Sequence, residues 1–430
     1  MQYSLAEQTQ RIRILDIIRG VAVLGIVTMN IPDMAYPEDL VLDFHATDPG
    51  KGWNYWIGVV SEILFAGKMR GLFTLLFGVS SILIFEKLTR NIDGLAAADI
   101  YFRRLLWLLI FGLVNAYLFL WWGDVLFKYA LLGMLLFSFR RASYRVLTSV
   151  VLICFAVLTI QPTAEYREMV NLQQRYIGVQ NKQKSAQPLT SDEQEVIVRW
   201  QESLDDMRPD SESIEDECQV KADHYFEIFK YNARQVLEEQ TTIFYREDVW
   251  DMSLYMFLGI ILLRMGLFNE RVKQSIHLTI AFFGIGIGLA VHAWLNLGLY
   301  KHYLDPTHSE YYLIFINLGR LPFVLGYLSL IIFLFRTEAL NCIGDWMVAA
   351  GRMALSNYMI QSIIGAFVFY GFGLALFNQL TRLDIALVIV LVWIFQIIFS
   401  VIWMKLFYYG PFEWLWRSLT YWRAQPLRKK

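Results

Sequence analysis

The chain has 430 residues, of which 56% are hydrophobic, and its formal net charge at pH 7 is −1. Aromatic side chains are abundant, with 14 Trp, 23 Tyr and 31 Phe, and apolar runs recur along the chain. This composition excludes an ordinary soluble globular protein and is typical of a polytopic membrane protein. Nothing in the charge indicates nucleic-acid binding, and three cysteines are too few for a disulfide framework.

Apolar segments long enough to cross a bilayer define the predicted fold. A spanning helix needs about 20 apolar residues, and about ten segments meet this requirement. We therefore predict an all-α, polytopic membrane helix bundle with spans near residues 13–32, 68–87, 103–122, 124–140, 146–163, 250–268, 275–299, 312–335, 346–370 and 383–405. The stretch 53–67 is too interrupted for a confident span and is predicted to be an amphipathic helix at the interface.

Lys and Arg residues predict the orientation of the bundle. They collect in alternate loops and in the C-terminal tail, which the positive-inside rule places in the cytoplasm. We therefore expect a multi-pass protein of the bacterial cytoplasmic (inner) membrane with both termini cytoplasmic.

One long polar region, residues 165–249, interrupts the bundle. It contains more acidic than basic residues, and its apolar residues recur every three or four positions, which indicates two or three amphipathic helices. The predicted organisation is an N-terminal set of spans over 1–164, an acidic extracytoplasmic cap over 165–249, and a C-terminal set with an amphipathic tail over 250–430. The cap is either a solvated linker or a lid over a binding site.

Polar residues within the spans are the candidate functional groups, because burying a charge in lipid is costly. The first span carries Asp16 and Arg19 near its cytoplasmic end and Asn30 at its other end. Lys68 and Arg70 open the second span, where snorkelling to the interface competes with ligand contact. Glycines along this second span suit close helix packing.

Three further pairs are each spaced to lie on one helical face. Asp124 follows Gly123 in an apparent turn, where it is expected to cap the next helix and could pair with Lys128. Asn317 and Arg320 lie near the middle of the eighth span, and we favour a functional or paired role for this arginine. In the ninth span Asn357 and Gln361 form an amide stripe that either helix contacts or a ligand would explain.

The histidines show no spacing typical of a metal site, so we predict no metal. His45 lies in the loop after the first span, on the same side as Asn30. For a single histidine in this setting, a structural role is the more frequent one.

Five segments together resemble the YeiB family of bacterial inner-membrane proteins. They are "LDIIRGVAVLGIVTMN", "GKMRGLFTLLFGVS", "WWGDVLFKYALLG", "GRMALSNYMIQS" and "FSVIWMKLFYYGPFEWLWRSLTY", in this order along the chain. The resemblance implies a membrane protein of a family loosely associated with transport. It gives no help across residues 165–249.

The first three of these segments also resemble, more distantly, the transmembrane acyltransferase superfamily that includes heparan-glucosaminide N-acetyltransferase. This resemblance implies that an acyl group passes from cytoplasmic acyl-CoA or acetyl-CoA to an acceptor on the other side. It makes Asn30 and His45 the catalytic candidates, and it makes Arg103, Arg104 and Arg19 candidates for contact with the CoA phosphates. The sugar O-acyltransferases differ, since they carry a histidine where this chain has Asn30.

Two functions follow as hypotheses. The first is a membrane-embedded acyltransferase that joins a small-molecule donor to a hydroxyl or amine acceptor. The alternative is a transporter or exporter of a small sugar-like or amphiphilic solute. The expected partners are the lipid bilayer and these small molecules, without nucleic acid, and a homodimer stays open. The candidate substrate-binding residues are Asp124, Lys68, Arg70, Arg320, Asn317 and Asn357.

Overall fold

A computed structural model describes residues 5–44, 52–92, 94–269, 272–301, 305–336 and 340–429. The N-terminal half contains α1 (Leu5–Ala35), α2 (Glu38–Val41), α3 (Trp53–Phe65), α4 (Lys68–Asn91), α5 (Gly94–Leu113), the π-helix π1 (Val114–Leu118), α6 (Leu126–Ser138) and α7 (Tyr144–Lys184). The middle region contains α8 (Ser191–Asp205), α9 (Ser211–Lys221), α10 (Tyr225–Glu238) and the π-helix π2 (Glu239–Asp248). The C-terminal half contains α11 (Val249–Met265), α12 (Gln274–Lys301), α13 (Pro306–Phe335), α14 (Asn341–Arg352), α15 (Ala354–Phe369), α16 (Arg382–Leu406) and α17 (Pro411–Tyr421).

The predicted all-α class is confirmed. Within the described residues the β-structure is limited to one isolated bridge between Phe407 and Arg428. In the part of the chain that the structure describes, six segments could cross a bilayer by length and composition, namely Arg13–Ala35, Trp53–Arg90, Tyr144–Lys184, Gln274–Gly298, Pro306–Phe335 and Arg382–Leu406. Shorter apolar helices accompany them at Leu126–Ser138 and Ala354–Phe369.

Close packing of glycines holds several of these helices together. Gly20 of α1 and Gly351 of α14 face each other, and a Cβ on Gly351 would lie 1.9 Å from the carbonyl oxygen of Asp16. Gly78 of α4 is pressed against α11 in the same way, with an added Cβ 2.2 Å from the carbonyl oxygen of Met256. The glycine row predicted to favour close packing in the second span therefore does so at Gly78.

The bundle has two distinct ends. We name one the basic end, because the helix termini there carry most of the arginines and lysines of the bundle, including Arg13, Arg104, Arg140, Arg352 and Arg417. The other is the cap end, where the helices α8, α9, α10 and π2 pack. Helix α1 runs from the basic end to the cap end, where the carbonyl of Ala35 accepts a hydrogen bond from the backbone N–H of Asn378.

Two predicted helix boundaries differ from the structure. The ninth predicted span, 346–370, is broken at Met353, so that α14 and α15 are separate helices. The fifth is far longer than predicted, because α7 runs for 41 residues and continues across position 165. Its polar second half packs against α8 through Leu172, Val179, Val196 and Trp200, so this helix extends as the first arm of a helical hairpin.

Candidate functional site

A cavity of about 570 Å³ opens at the basic end between the two halves of the chain. Helices α1, α4, α5 and α6 supply one wall, and α14, α15, α17 and the residues before α17 supply the other. This volume lies within the range of about 300–1,000 Å³ found for small-molecule sites. The charged residues of its lining are Asp16, Arg19, Lys87, Arg104, Arg352, Glu413 and Arg417.

The two acidic groups of the cavity are both engaged by protein partners. Asp16 accepts a hydrogen bond from Arg19 at 2.7 Å and lies 3.4 Å from the Nε of Arg352. Glu413 accepts hydrogen bonds from the backbone N–H groups of Leu355 and Ser356, at the start of α15. Burial raises the pKa of Glu413, while the hydroxyl and N–H of Ser356 act in the opposite direction. The cavity therefore keeps an excess of positive charge.

Arg104 and Arg417 carry much of this excess. Neither forms an ion pair with a carboxylate in the described part of the chain. Arg104 lies over the ring of Trp416 at 3.5 Å, and Arg417 lies over the ring of Tyr409 at 4.5 Å. The two guanidinium charges also repel each other. Stacking on rings holds these cations in place without neutralising them, and such an arrangement favours an anionic ligand.

The neighbouring Arg103 has a different environment. It pairs with Asp99 one turn earlier on the same helix and does not belong to the cavity lining. Of the three arginines predicted to contact CoA phosphates, Arg19 and Arg104 are thus brought to one cavity, and Arg103 is not.

Tyrosines close the deep end of the cavity. The hydroxyl of Tyr129 lies 2.6 Å from the hydroxyl of Thr74. The hydroxyl of Tyr358 accepts hydrogen bonds from the indole N–H of Trp121 and the backbone N–H of Val125. Apolar side chains such as Phe73, Leu108 and Leu126 complete this region of the lining. The cavity thus combines a cationic mouth with a largely apolar interior.

A second polar region, which we call the cap-end network, joins α4, α6, α11 and α13 to π2. Arg70 contacts Asp248 at 3.2 Å and Asp251 at 2.9 Å, and Arg320 contacts the same Asp251 at 3.2 Å. Lys128 lies 2.5 Å from Asp248 and 2.5 Å from Glu239. The pairing suggested for Lys128 with Asp124 is therefore replaced by two carboxylates of π2.

Lys68 is fully buried beside this network, with no exposed surface. Its ammonium group donates to the backbone carbonyl of Glu62 at 2.9 Å and lies 3.2 Å from the Nδ1 of His292. The snorkelling interpretation is wrong for this residue, because its contacts are with helices α3 and α12. The opposite ring nitrogen of His292 has no hydrogen-bond partner in the described residues.

The remaining predicted site residues lie apart from the cavity. Asn30 is half-buried near the cap end of α1, and Asn317 is half-buried on α13. Asp124 is buried and caps the first turn of α6 by accepting from the backbone N–H of Phe127, as expected from the sequence. Asn357 donates to the hydroxyl of Ser400 at 3.0 Å, which favours a helix-to-helix role. His45 lies outside the described residues.

Sequence reasoning missed two features of the site. The first is the contribution of α17: the sequence predicts only an amphipathic tail there, and the structure places its Trp416 and Arg417 in the cavity lining. The second is the pair of π-helices, of which π2 spans ten residues and supplies Glu239 and Asp248. A π-helix is rare and often occurs at functional sites, but no residue pattern in the sequence predicts one.

Fold and site together define a polytopic α-helical membrane protein with a ligand-sized cavity between its two halves. The family model described as "Protein of unknown function (DUF418)" matches residues 262–423. "Uncharacterized protein YxaH" of Bacillus subtilis (strain 168) is 28% identical over 434 residues, covering 98% of this chain and 97% of that protein. "Uncharacterized protein YeiB" of Escherichia coli (strain K12) is 27% identical over 426 residues, covering 97% of this chain and 98% of that protein.

The chain is therefore similar to these YeiB-like proteins over nearly its whole length. No solved structure matches it. The matched C-terminal region includes α14, α15 and α17, so it supplies one complete wall of the cavity.

Proposed function

We propose that the protein is a membrane-embedded acyltransferase that binds acyl-CoA or acetyl-CoA in the basic-end cavity. The observation that carries this proposal is the combination of a cationic mouth with an apolar interior in a single cavity of about 570 Å³. A thioester of CoA has the matching chemistry, with phosphates at one end and an acyl group at the other. Guanidinium groups suit phosphates because of their planar, bidentate donors.

The orientation supports a cytoplasmic donor. The basic end carries the arginines and lysines that the positive-inside rule assigns to the cytoplasm, and the acidic region 165–249 is then extracytoplasmic. We infer that the chain lies in the bacterial inner membrane with both termini cytoplasmic. The acceptor hydroxyl or amine would then approach from the cap end, where the cap-end network and the predicted substrate residues Lys68, Arg70 and Arg320 lie.

The reaction transfers the acyl group from sulfur to oxygen or nitrogen. The C–S bond breaks, the new C–O or C–N bond forms, the acceptor loses a proton to a base, and CoA leaves as a thiol once protonated. On the resemblance described above, Asn30 is the predicted hydrogen-bond donor to the oxyanion, and His45 is the predicted general base that takes the acceptor's proton. Tyr129 and Tyr358 at the deep end of the cavity are the polar groups closest to where an acyl chain would end.

Donor binding is tested by titrating the protein in lipid nanodiscs with acetyl-CoA, using two adjacent arginines as a matched pair. Arg104→Gln removes a cavity cation and should weaken binding at least tenfold, since hydrogen bonds to charged groups contribute about 1.5–3 kcal/mol. Arg103→Gln removes an arginine paired with Asp99 outside the cavity and should leave the Kd unchanged. The proposal fails if wild-type protein shows no binding at millimolar acetyl-CoA, or if both variants bind equally well.

A further inference from the structure

The mouth of the cavity is built by one short C-terminal segment. Residues 407–410 are followed by α17, and Tyr408, Tyr409, Glu413, Trp416 and Arg417 of this segment all line the cavity. We name residues 407–417 the mouth segment. Tyr408 is 46% exposed, and its backbone N–H donates to the carbonyl of Leu427 at 2.9 Å.

The mouth segment is anchored to the bundle at several points. The indole N–H of Trp416 donates to the backbone carbonyl of Arg104 at 2.8 Å, and the indole N–H of Trp403 donates to the carbonyl of Tyr409 at 2.9 Å. Gly410 is so close to α15 that an added Cβ would lie 2.7 Å from the Ser356 hydroxyl. These contacts fix the ring of Trp416 and the backbone of the mouth segment before any ligand binds, so binding requires little ordering of the backbone.

The mouth segment and the adjacent α5 therefore present three side chains together at one opening. Arg104 and Arg417 supply two cations that no described carboxylate neutralises. Tyr408 supplies an exposed aromatic side chain on an anchored backbone. Flat rings bind nucleobases by stacking, and proteins that bind single-stranded nucleic acids combine such rings with positively charged side chains. An inorganic phosphate or a lipid headgroup would use the cations and leave the aromatic face without a partner.

We infer that the mouth segment is a binding site for an adenosine phosphate group, with the base on Tyr408 and the phosphates between Arg104 and Arg417. This inference deepens the proposed function, because an adenosine bisphosphate is the nucleotide end of CoA, and it rests on the same cavity. It assigns recognition of the nucleotide to the C-terminal segment and leaves the acyl group to the apolar interior.

The test uses adenosine 3′,5′-bisphosphate as the probe, titrated into the full-length protein in nanodiscs of neutral lipid. Wild-type protein should bind it, and Tyr408→Ala should weaken this binding about tenfold, as expected for loss of one stacking contact. Inorganic phosphate, which lacks a base, should bind weakly and equally to both proteins. Because Tyr408 is exposed, its replacement spares the packed interior, and circular dichroism of the variant should match the wild type.

A second variant separates the base from the phosphates. Arg417→Gln should weaken both adenosine 3′,5′-bisphosphate and inorganic phosphate, whereas Tyr144→Ala, at an exposed tyrosine that begins α7 outside the cavity lining, should change neither. Titration with nanodiscs that contain phosphatidylglycerol distinguishes the lipid source. If phosphatidylglycerol displaces the probe equally well from the wild type and from Tyr408→Ala, the site binds a lipid headgroup and the nucleotide site is overturned.

The outcomes separate this inference from the proposed function. If acyl transfer from acetyl-CoA occurs while adenosine 3′,5′-bisphosphate neither binds nor inhibits, the nucleotide site is overturned and the acyltransferase stands. If the probe binds and Tyr408→Ala weakens it while no acyl transfer occurs, the nucleotide site stands and the acyltransferase is overturned.

Discussion

Lys221 at the end of α9 gives the sharpest prediction about how the cap is held. Its side chain is 1% exposed and lies in a box formed by the rings of Tyr231, Tyr370 and Phe377, with its ammonium 2.6 Å from the Oδ1 of Asn232. Burial lowers the pKa of Lys221 from 10.5 to about 8, although nearby carboxylates act in the opposite direction. When this region opens, the lysine regains its ordinary pKa.

The sign of the pH dependence follows from proton binding. Between pH 8 and 10.5 the opened state binds more protons at Lys221 than the closed state, so the free energy of opening must rise with pH. The full difference of about 2.5 pKa units corresponds to roughly 3 kcal/mol, at 1.36 kcal/mol per unit. Between pH 8 and 9.5, before tyrosines with an ordinary pKa near 10 are mostly ionised, we expect a rise of about 1.6 kcal/mol, because the closed-state lysine is already half deprotonated at pH 8.

Amide hydrogen exchange of α9 and α10 measures this free energy in the intact protein. The protection of both helices, corrected for the intrinsic pH dependence of exchange, should increase about fifteenfold between pH 8 and 9.5. Lys221→Met keeps the apolar volume and removes the titrating group, so its protection should be flat with pH. Lys230→Met, at an exposed lysine paired with Glu227 on α10, is the matched control and should keep the wild-type slope. Equal slopes in wild type and Lys221→Met would refute the reasoning.

Two further predictions concern the cap-end network and the orientation. Lys128→Met leaves the carboxylates of Glu239 and Asp248 without their cation and should lower the free energy of unfolding by about 3–5 kcal/mol. In a thermal unfolding series, the double variant with Asp248→Asn should recover part of this loss. If the effects of the two substitutions simply add, the network is contradicted. For orientation, a membrane-impermeant maleimide should label Gln187→Cys, in the loop after α7, in intact spheroplasts and label the exposed Cys342 only after permeabilisation; the reverse pattern would invert the topology.

The all-α fold could be predicted from the sequence because apolar length alone specifies a spanning helix. Most predicted spans coincide with helices, since the bilayer leaves no other way to satisfy the backbone. The break at Met353 was not predicted because apolar residues continue on both sides of it and position 353 holds neither proline nor glycine. The length of α7 was not predicted, because the hydropathy of the sequence falls near residue 163 while the hydrogen-bonded helix continues through the polar residues that follow.

The candidate site was predictable only in part. Arg19 is conspicuous as a charged residue near a span end, and Arg104 follows from the acyltransferase resemblance; both line the cavity. Arg103 and Arg104 are adjacent, and only their positions on the helical face decide which one pairs with Asp99 and which one lies over Trp416. The role of α17 depends on packing between residues more than 300 positions apart, for which one sequence holds no signal.

The length of α7 has a mechanical consequence. Forty-one residues extend about 60 Å, about twice the hydrocarbon thickness of a bilayer. One half packs against α11 and α13, and the other half forms a hairpin with α8. Because a single continuous helix connects them, a force applied to the hairpin tilts the part of α7 that lies within the bundle. The helix α7 therefore transmits a movement of the hairpin into the bundle. A molecule that binds the hairpin would act directly on α11 and α13, which carry Asp251 and Arg320.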